Sequence, residues 1–380
     1  MRPPLPPLPK LRPMDAVAAL YSGKDAALTE SILSHLSHSV FHGPEVPSPG
    51  PAQLLLSRLS YRLLRATTRT HFSAGGIRYG NRLLERSGHP YAKALLNSTT
   101  EATANLVEGG DPMNGPYLML APAIRAQGDR WDHRFFNSVQ ARDVQVRFIL
   151  ETRATVTAAQ AVLASGRAVR LKAVAAGTGL SLIMAYDRLI QEGADPRRIT
   201  ALITDRDPAN TGKTKHLLAT LPSTRDHRFT CSNNYGIAAR TEDVFAKPAA
   251  ADREDDQADI LTAIGILEYF EGHTTATTRE RLGLSATPGS FTAHHLAARL
   301  AAMTLPGSQL ILNTYREHSS VRILELFGKR FAYRGREQIT ALLQPHGFEP
   351  SHCAGSANIY DVEVFKKMPI EGIGTCDSPC

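Results

Sequence analysis

Residues 167–187 constrain this chain more than any other stretch. An apolar, β-prone run from Ala168 to Ala175 meets the turn Ala176-Gly177-Thr178-Gly179, and a helical pattern follows from Leu180 through Leu189 and Ile190. A strand that feeds a helix through glycines lets backbone approach a ligand closely. The first free N–H groups of the helix then point at that ligand, which suits a nucleotide-like molecule. A lone Gly-x-Gly is a short signal, so the order of elements downstream decides its meaning.

From Val169 to Lys367, strands alternate with helices. Strand one covers 169–175, followed by a helix over 180–192. Strand two runs from Ile199 to Asp205, with a helix over 210–221. A third strand lies near 228–231 or 236–240, and a fourth spans Ala258 to Gly265. A helix over 291–304, a strand from Gln309 to Thr314 and a helix over 336–345 come next. Two closing strands, 349–354 and 359–366, alternate as hairpin partners would. The pattern predicts an α/β fold with a mostly parallel sheet and an antiparallel terminal hairpin. Right-handed crossovers place the ligand over the carboxyl ends of strands one, two and four.

The first half reads differently. Residues 1–13 form a proline-rich leader, expected to be disordered, and 14–165 a helical cap or lid. Within the cap, apolar residues recur at three- and four-residue spacing over 25–40, 51–72, 77–87 and 91–107. Ser138 is placed to cap a long helix ending near Ser165. Phe135 and Phe136 read as core residues docking that helix; alternatively Asn137, Gln140 and Arg142 face the ligand opposite the glycine turn. The Rossmann-like domain then spans 166–368, and 369–380 is a flexible tail.

Composition excludes several classes. Net charge is +7, from 43 basic and 36 acidic residues, but the basic residues are scattered, so nucleic acid is not an expected partner. Cys231, Cys353, Cys376 and Cys380 include no Cys-x-x-Cys pair and no His at metal spacing, so no metal is expected. No apolar stretch reaches the roughly 18 residues that cross a bilayer. The N-terminus lacks the continuous apolar segment of a signal peptide, so the expected compartment is the cytoplasm.

The order of elements resembles the class I S-adenosylmethionine-dependent methyltransferases over 166–367. Ala176, Gly177, Thr178 and Gly179 stand where that family has its glycine-rich first motif, which cradles the methionine part of the cofactor. Asp205, followed by Arg206, ends strand two where the family has an acid for both ribose hydroxyls. Glu242 and Asp243 stand where it has a group near the adenine. The stretch Asp259 to Tyr269, with Gly265 inside it, resembles the fourth motif, which faces the transferred group, and Pro306-Gly307 resembles the turn into strand five. One departure matters: the acid two residues before the first glycine is missing, since these positions read Ala173-Val174-Ala175. The resemblance implies S-adenosylmethionine as cosubstrate, and Asn137 and Arg142 are the expected substitutes at its amino acid end.

The expected reaction is methyl transfer to a small-molecule acceptor by in-line displacement, where proximity and a base do most of the work. Tyr235, Tyr269, His273 and Tyr315 are the groups near predicted strand ends, with Tyr269, Tyr235 and Asn137 the catalytic expectations. A homodimer through the helical cap is the expected assembly. The alternative is chemistry that releases methylthioadenosine. It runs by cyclisation, as in azetidine-2-carboxylate synthases, or by aminocarboxypropyl transfer, in a pocket lined by Tyr186, Asn137, Tyr235 and Tyr269. A nicotinamide oxidoreductase would need a third glycine where Leu182 stands, and a phosphate loop at Asn210–Thr214 would need one at Asp207. A binding protein with a degenerate pocket is the reading from another class.

Overall fold

In a computed structural model, the described residues are 5–44, 46, 50–67, 73–89, 92, 114–221, 235–242, 244, 257–270, 292–318, 326 and 331–369. Helices come first: α1 (Pro13–Ser22), α2 (Ala26–His42), α3 (Pro51–Thr67), α4 (Ala74–Ser87), α5 (Asn114–Leu118), α6 (Pro122–Arg125), α7 (Arg130–Phe136) and α8 (Val139–Ala164). Their starts are written in short polar side chains that accept first-turn N–H groups. Asp25 caps α2, Ser73 caps α4, and Asp129 with Asp132 forms a capping box on α7. Ser138 caps α8 by accepting the Ala141 N–H, as the sequence predicts.

Strands and helices then alternate: β1 (Val169–Ala173), α9 (Leu180–Gln191), β2 (Ile199–Asp205), α10 (Pro208–Thr220), β3 (Gly236–Thr241), β4 (Ala258–Ala263), α11 (Ala293–Ala302), β5 (Thr304–Asn313), α12 (Arg336–Leu343), β6 (Phe348–Ser356) and β7 (Asp361–Lys367). Among the described residues, seven strands form one sheet in the order β3-β2-β1-β4-β5-β7-β6. β1 to β5 are parallel, and β7 runs antiparallel to β5 and β6. The expected α/β sheet with its antiparallel terminal hairpin is what forms. The chain winds outward from β1 on one side and from β4 on the other, which opens a crevice at their carboxyl ends.

The two faces carry separate cores. Leu171, Ala173, Ala201, Ile203, Ile260 and Ile311 pack with apolar residues of α8, α9 and α10, and α1 and α2 join the same cluster. Leu261, Ala263, Leu310 and Leu312 pack against α11 and α12 on the other face. α8 therefore lies on the sheet beside α9 and touches β1, β4, β5, β6 and β7. The sequence assigns this helix to the cap, but its apolar residues pack on the sheet. α3 behaves otherwise: Leu55, Leu56, Leu59 and Leu63 are each at least half exposed.

Boundaries shift where backbone breaks the pattern. β3 is the second of the two expected stretches, and 222–234 lies outside the described residues. β5 begins five residues early, at Thr304, and takes in Pro306-Gly307 beside a register shift against β4. The expected helix over 91–107 lies outside the described residues, apart from Ala92, and so do Cys231, Cys376 and Cys380. Cys353 is exposed and free. No helix among the described residues is long and apolar enough to cross a membrane.

Candidate active site

The glycine turn is pinned to strands on both sides. Val174 N–H donates to Thr262 O at 2.9 Å, and Ala176 N–H to Thr204 O at 3.0 Å. Gly177 and Gly179 sit at φ 59° and 63°, and Ala175 shares the left-handed region at φ 50° despite its side chain. A Cβ on Gly179 would stand 2.4 Å from Ile203 Cγ2, so glycine alone lets α9 begin this close to β2. No side chain caps the N-terminus of α9.

Asp205 closes this end of the crevice. Its Oδ2 accepts the Gly177 N–H at 2.7 Å, and Oδ1 accepts the Asp207 N–H at 2.8 Å and the Asn210 amide at 3.3 Å. Thr178 faces the other way. Its hydroxyl lies 2.9 Å from the Tyr21 hydroxyl and accepts the Asn114 amide at 3.0 Å, tying the turn to α1 and α5. Arg206 is exposed. Glu242 accepts Lys172 Nζ at 3.0 Å, and its N–H donates to Asp205 O. Asp243 lies outside the described residues.

The end of β4 faces α8. Gly265 (φ 73°) donates its N–H to Asn313 Oδ1 at 2.7 Å. A methyl group at Gly265 would lie 3.5 Å from Arg147 Nη1 and 3.7 Å from Glu268 Oε1. Arg147 and Glu268 are buried and 3.7 Å apart, and the guanidinium lies over the Tyr360 ring at 4.7 Å. Arg147 Nε is buried with no hydrogen-bond partner. One turn along α8, buried Glu151 accepts the Ser181 hydroxyl at 2.7 Å, from the first turn of α9. One turn the other way, Asp143 accepts the Asn358 amide and Ile359 N–H, fixing the turn between β6 and β7. Burial pushes the Glu151 carboxyl up to about 7, against the opposing effects of Ser181 and Arg147. Burial also raises Glu268, and Arg147 opposes it.

Beyond β5 lies a buried aromatic cluster. Tyr315 stacks on Tyr360 with centroids 4.9 Å apart and meets Phe331 and Tyr333 at 5.5 and 5.1 Å. Tyr269 meets Phe331 edge-on at 5.3 Å. His318 Nε2 lies 3.1 Å from the Tyr315 hydroxyl, and burial lowers this imidazole to about 4, so it is neutral at pH 7. Burial also keeps Tyr315 protonated.

Ala176, Gly177, Gly179, Asp205, Gly265 and Tyr269 thus converge on the carboxyl ends of β1, β2 and β4. Other expected residues do not join them. Tyr235 precedes Gly236, which pairs with Thr200 at the start of β2, so it stands at the amino end of the sheet. That is roughly 20 Å from the crevice end of a six-residue strand. Tyr186 is fully buried in the core rather than lining a pocket. The Asn137 amide lies 3.3 Å from His133 in the last turn of α7, and Arg142 donates to Gln53 of α3 at 3.3 Å. Each is engaged with the helical layer instead of the glycine turn. His273 lies outside the described residues. Sequence reasoning missed Arg147, Glu151, Glu268 and His318; the spacing of 143, 147 and 151 on one helix face was the available signal. Away from the crevice, ligand atoms of His89, Asp129 and Asp132 lie within 4.8 Å of one another, but the two aspartates form the cap of α7.

No protein-family model matches the chain, and no curated protein matches it in sequence. Among solved structures, the chain is similar to magnesium protoporphyrin IX methyltransferase from Synechocystis PCC 6803 with bound S-adenosylhomocysteine. Identity is 13% over 59% of this chain and 87% of that one, with a TM-score of 0.38. It is also similar to human N-acetylserotonin methyltransferase, at 14% identity over 63% and 60%, with a TM-score of 0.36. The CurJ carbon methyltransferase matches at 16% identity over 94% and 100%, with a TM-score of 0.43.

Proposed function

We propose that the crevice binds S-adenosylmethionine and that the protein transfers its methyl group to the O–H or N–H of a small-molecule acceptor. The observation that carries this reading is the joint between Asp205 and Gly177. A buried carboxylate at the end of β2 is held against a left-handed glycine turn and an uncapped helix N-terminus. Ionised carboxylates accept paired hydroxyls strongly, and helix N-termini favour negative charge. The residues present fit the cofactor: Asp205 suits the ribose, and the orphaned Arg147 Nε leaves a buried donor without a partner.

When bound, the cofactor supplies an electrophilic methyl group that leaves a neutral thioether behind. Tyr269, Phe331, Tyr315 and Tyr360 give the acceptor an aromatic wall. His318, unprotonated down to about pH 4, takes the acceptor's proton directly or through the Tyr315 hydroxyl as the new bond forms. Tyr21 and Asn114 hold the turn in place from behind.

Calorimetry and product analysis test this together. The wild-type protein binds S-adenosylmethionine, and Asp205→Ala weakens binding by about 100-fold, as expected for charge-assisted hydrogen bonds to two hydroxyls. S-adenosylhomocysteine forms only when an acceptor is added. Absence of binding by the wild type overturns the cofactor reading. Methylthioadenosine released from the cofactor alone overturns methyl transfer and favours attack on the aminobutyryl carbon.

A further inference from the structure

The first motif lacks the acid that the family resemblance leads one to expect, because β1 ends in Ala173. A zwitterionic amino acid group brought to this crevice still needs an anion for its ammonium and a cation for its carboxylate. Burying either charge without a partner costs several kcal/mol. α8 carries both kinds of charge, one turn apart on the face it turns to the crevice. Glu151 reaches the second residue of α9, next to the glycine turn, and Arg147 reaches Gly265 at the end of β4. The two side chains therefore flank the β1 turn from one helix, and each is more than nine-tenths buried.

Each keeps hydrogen-bonding capacity that its described neighbours do not take up. Among the described residues, the Glu151 carboxylate accepts only the Ser181 hydroxyl, an uncharged donor, and an ionised carboxylate has room for several. Arg147 has Tyr117 and the Tyr360 ring beside it, but it lies 3.7 Å from Glu268, longer than a hydrogen bond, and its Nε has no hydrogen-bond partner. Resting on the S-adenosylmethionine reading above, we infer that Glu151 binds the ammonium and Arg147 the carboxylate of the cofactor's amino acid end. The acid absent from β1 is thus supplied by α8. Arg147 is the charged group acting on Glu151, and Ser181 faces it from α9. With its carboxyl at about 7, Glu151 is half protonated at neutral pH and gives up that proton when an ammonium arrives.

The test compares two ligands that share the adenosine and differ at the amino acid end. Titrate S-adenosylhomocysteine and methylthioadenosine into the full-length protein and into Glu151→Gln, whose amide can still accept the Ser181 hydroxyl. The variant is expected to lose about tenfold or more in affinity for S-adenosylhomocysteine and nothing for methylthioadenosine. Near pH 6.5, titrations in buffers of different ionisation enthalpy should report proton release by the wild type with S-adenosylhomocysteine. Methylthioadenosine and the variant should give none. Equal losses for both ligands, or no loss for either, overturn the assignment of Glu151 while leaving the cofactor reading standing. Failure of the wild type to bind either ligand overturns both.

Discussion

The two ends of the crevice are built by opposite means. At the Asp205 end, a carboxylate is met by N–H groups from Gly177 and Asp207 and by the Asn210 amide, from two adjacent strand-turn-helix units. At the α8 end, Asp143, Arg147 and Glu151 meet residues from the β6–β7 turn, the loop after β4 and the start of α9. The first end uses backbone donors whose positions follow from the local fold. The second uses buried charges whose positions depend on three distant segments packing correctly. Backbone donors are present whenever the turn forms. Buried charges are favourable only when every partner arrives, so the α8 end should respond far more to substitution and pH.

Arg147→Met should show the largest effect. Removing the cation leaves Glu268 and Glu151 buried without it, a loss of ~3 to 5 kcal/mol in denaturant unfolding at pH 8. The loss should shrink at lower pH as the acids take up protons. A loss below 1 kcal/mol at pH 8 would show that the α8 charges do not support one another.

Glu151 gives the next effect, and it has a sign. Its carboxyl stands at about 7 in the folded protein against an ordinary 4.5, so between those values the folded chain holds a proton that the unfolded chain has lost. Stability therefore falls as pH rises from 4.5 through 7, by ~3 kcal/mol at 1.36 kcal/mol per unit. Glu151→Gln does not titrate. Its midpoint should match the wild type near pH 4.5 and exceed it increasingly up to pH 8. Parallel curves for the two proteins would mean that Glu151 is not buried as an acid.

The smallest effect belongs to the backbone end. Ala175 holds a φ of 50°, which costs a residue with a side chain ~1 to 2 kcal/mol, while glycine adds flexibility to the unfolded chain. Ala175→Gly should therefore change stability by between zero and ~1 kcal/mol, in the stabilising direction. Destabilisation beyond that would show a turn more dependent on its side chain than the Asp205 end implies.

The same contrast explains what the sequence reveals. Gly177, Gly179 and Asp205 were legible because turn glycines and a strand-ending acid act within 30 residues of one another. Arg147 and Glu151 were not: charges four residues apart on a long helix read as a solvated face until the sheet is placed against them. Arg142 and Asn137 stand in the neighbouring stretch of sequence, but α8 turns Arg142 toward Gln53, and Asn137 meets His133. The sequence offers two stretches for β3, and with the strand starting at Gly236, Tyr235 stands one strand length from the carboxyl end. The burial that holds His318 neutral arises from Tyr315 and its aromatic neighbours, which no local pattern assembles.

The contact between the Tyr21 hydroxyl and Thr178 joins residues 157 positions apart. With Asn114 on the same oxygen, the first helix of the chain becomes the back wall of a turn that belongs to the second half. Whatever orders the turn must also steady α1, and whatever loosens α1 is felt at the turn. α1 is therefore masonry of the crevice rather than a porch in front of it.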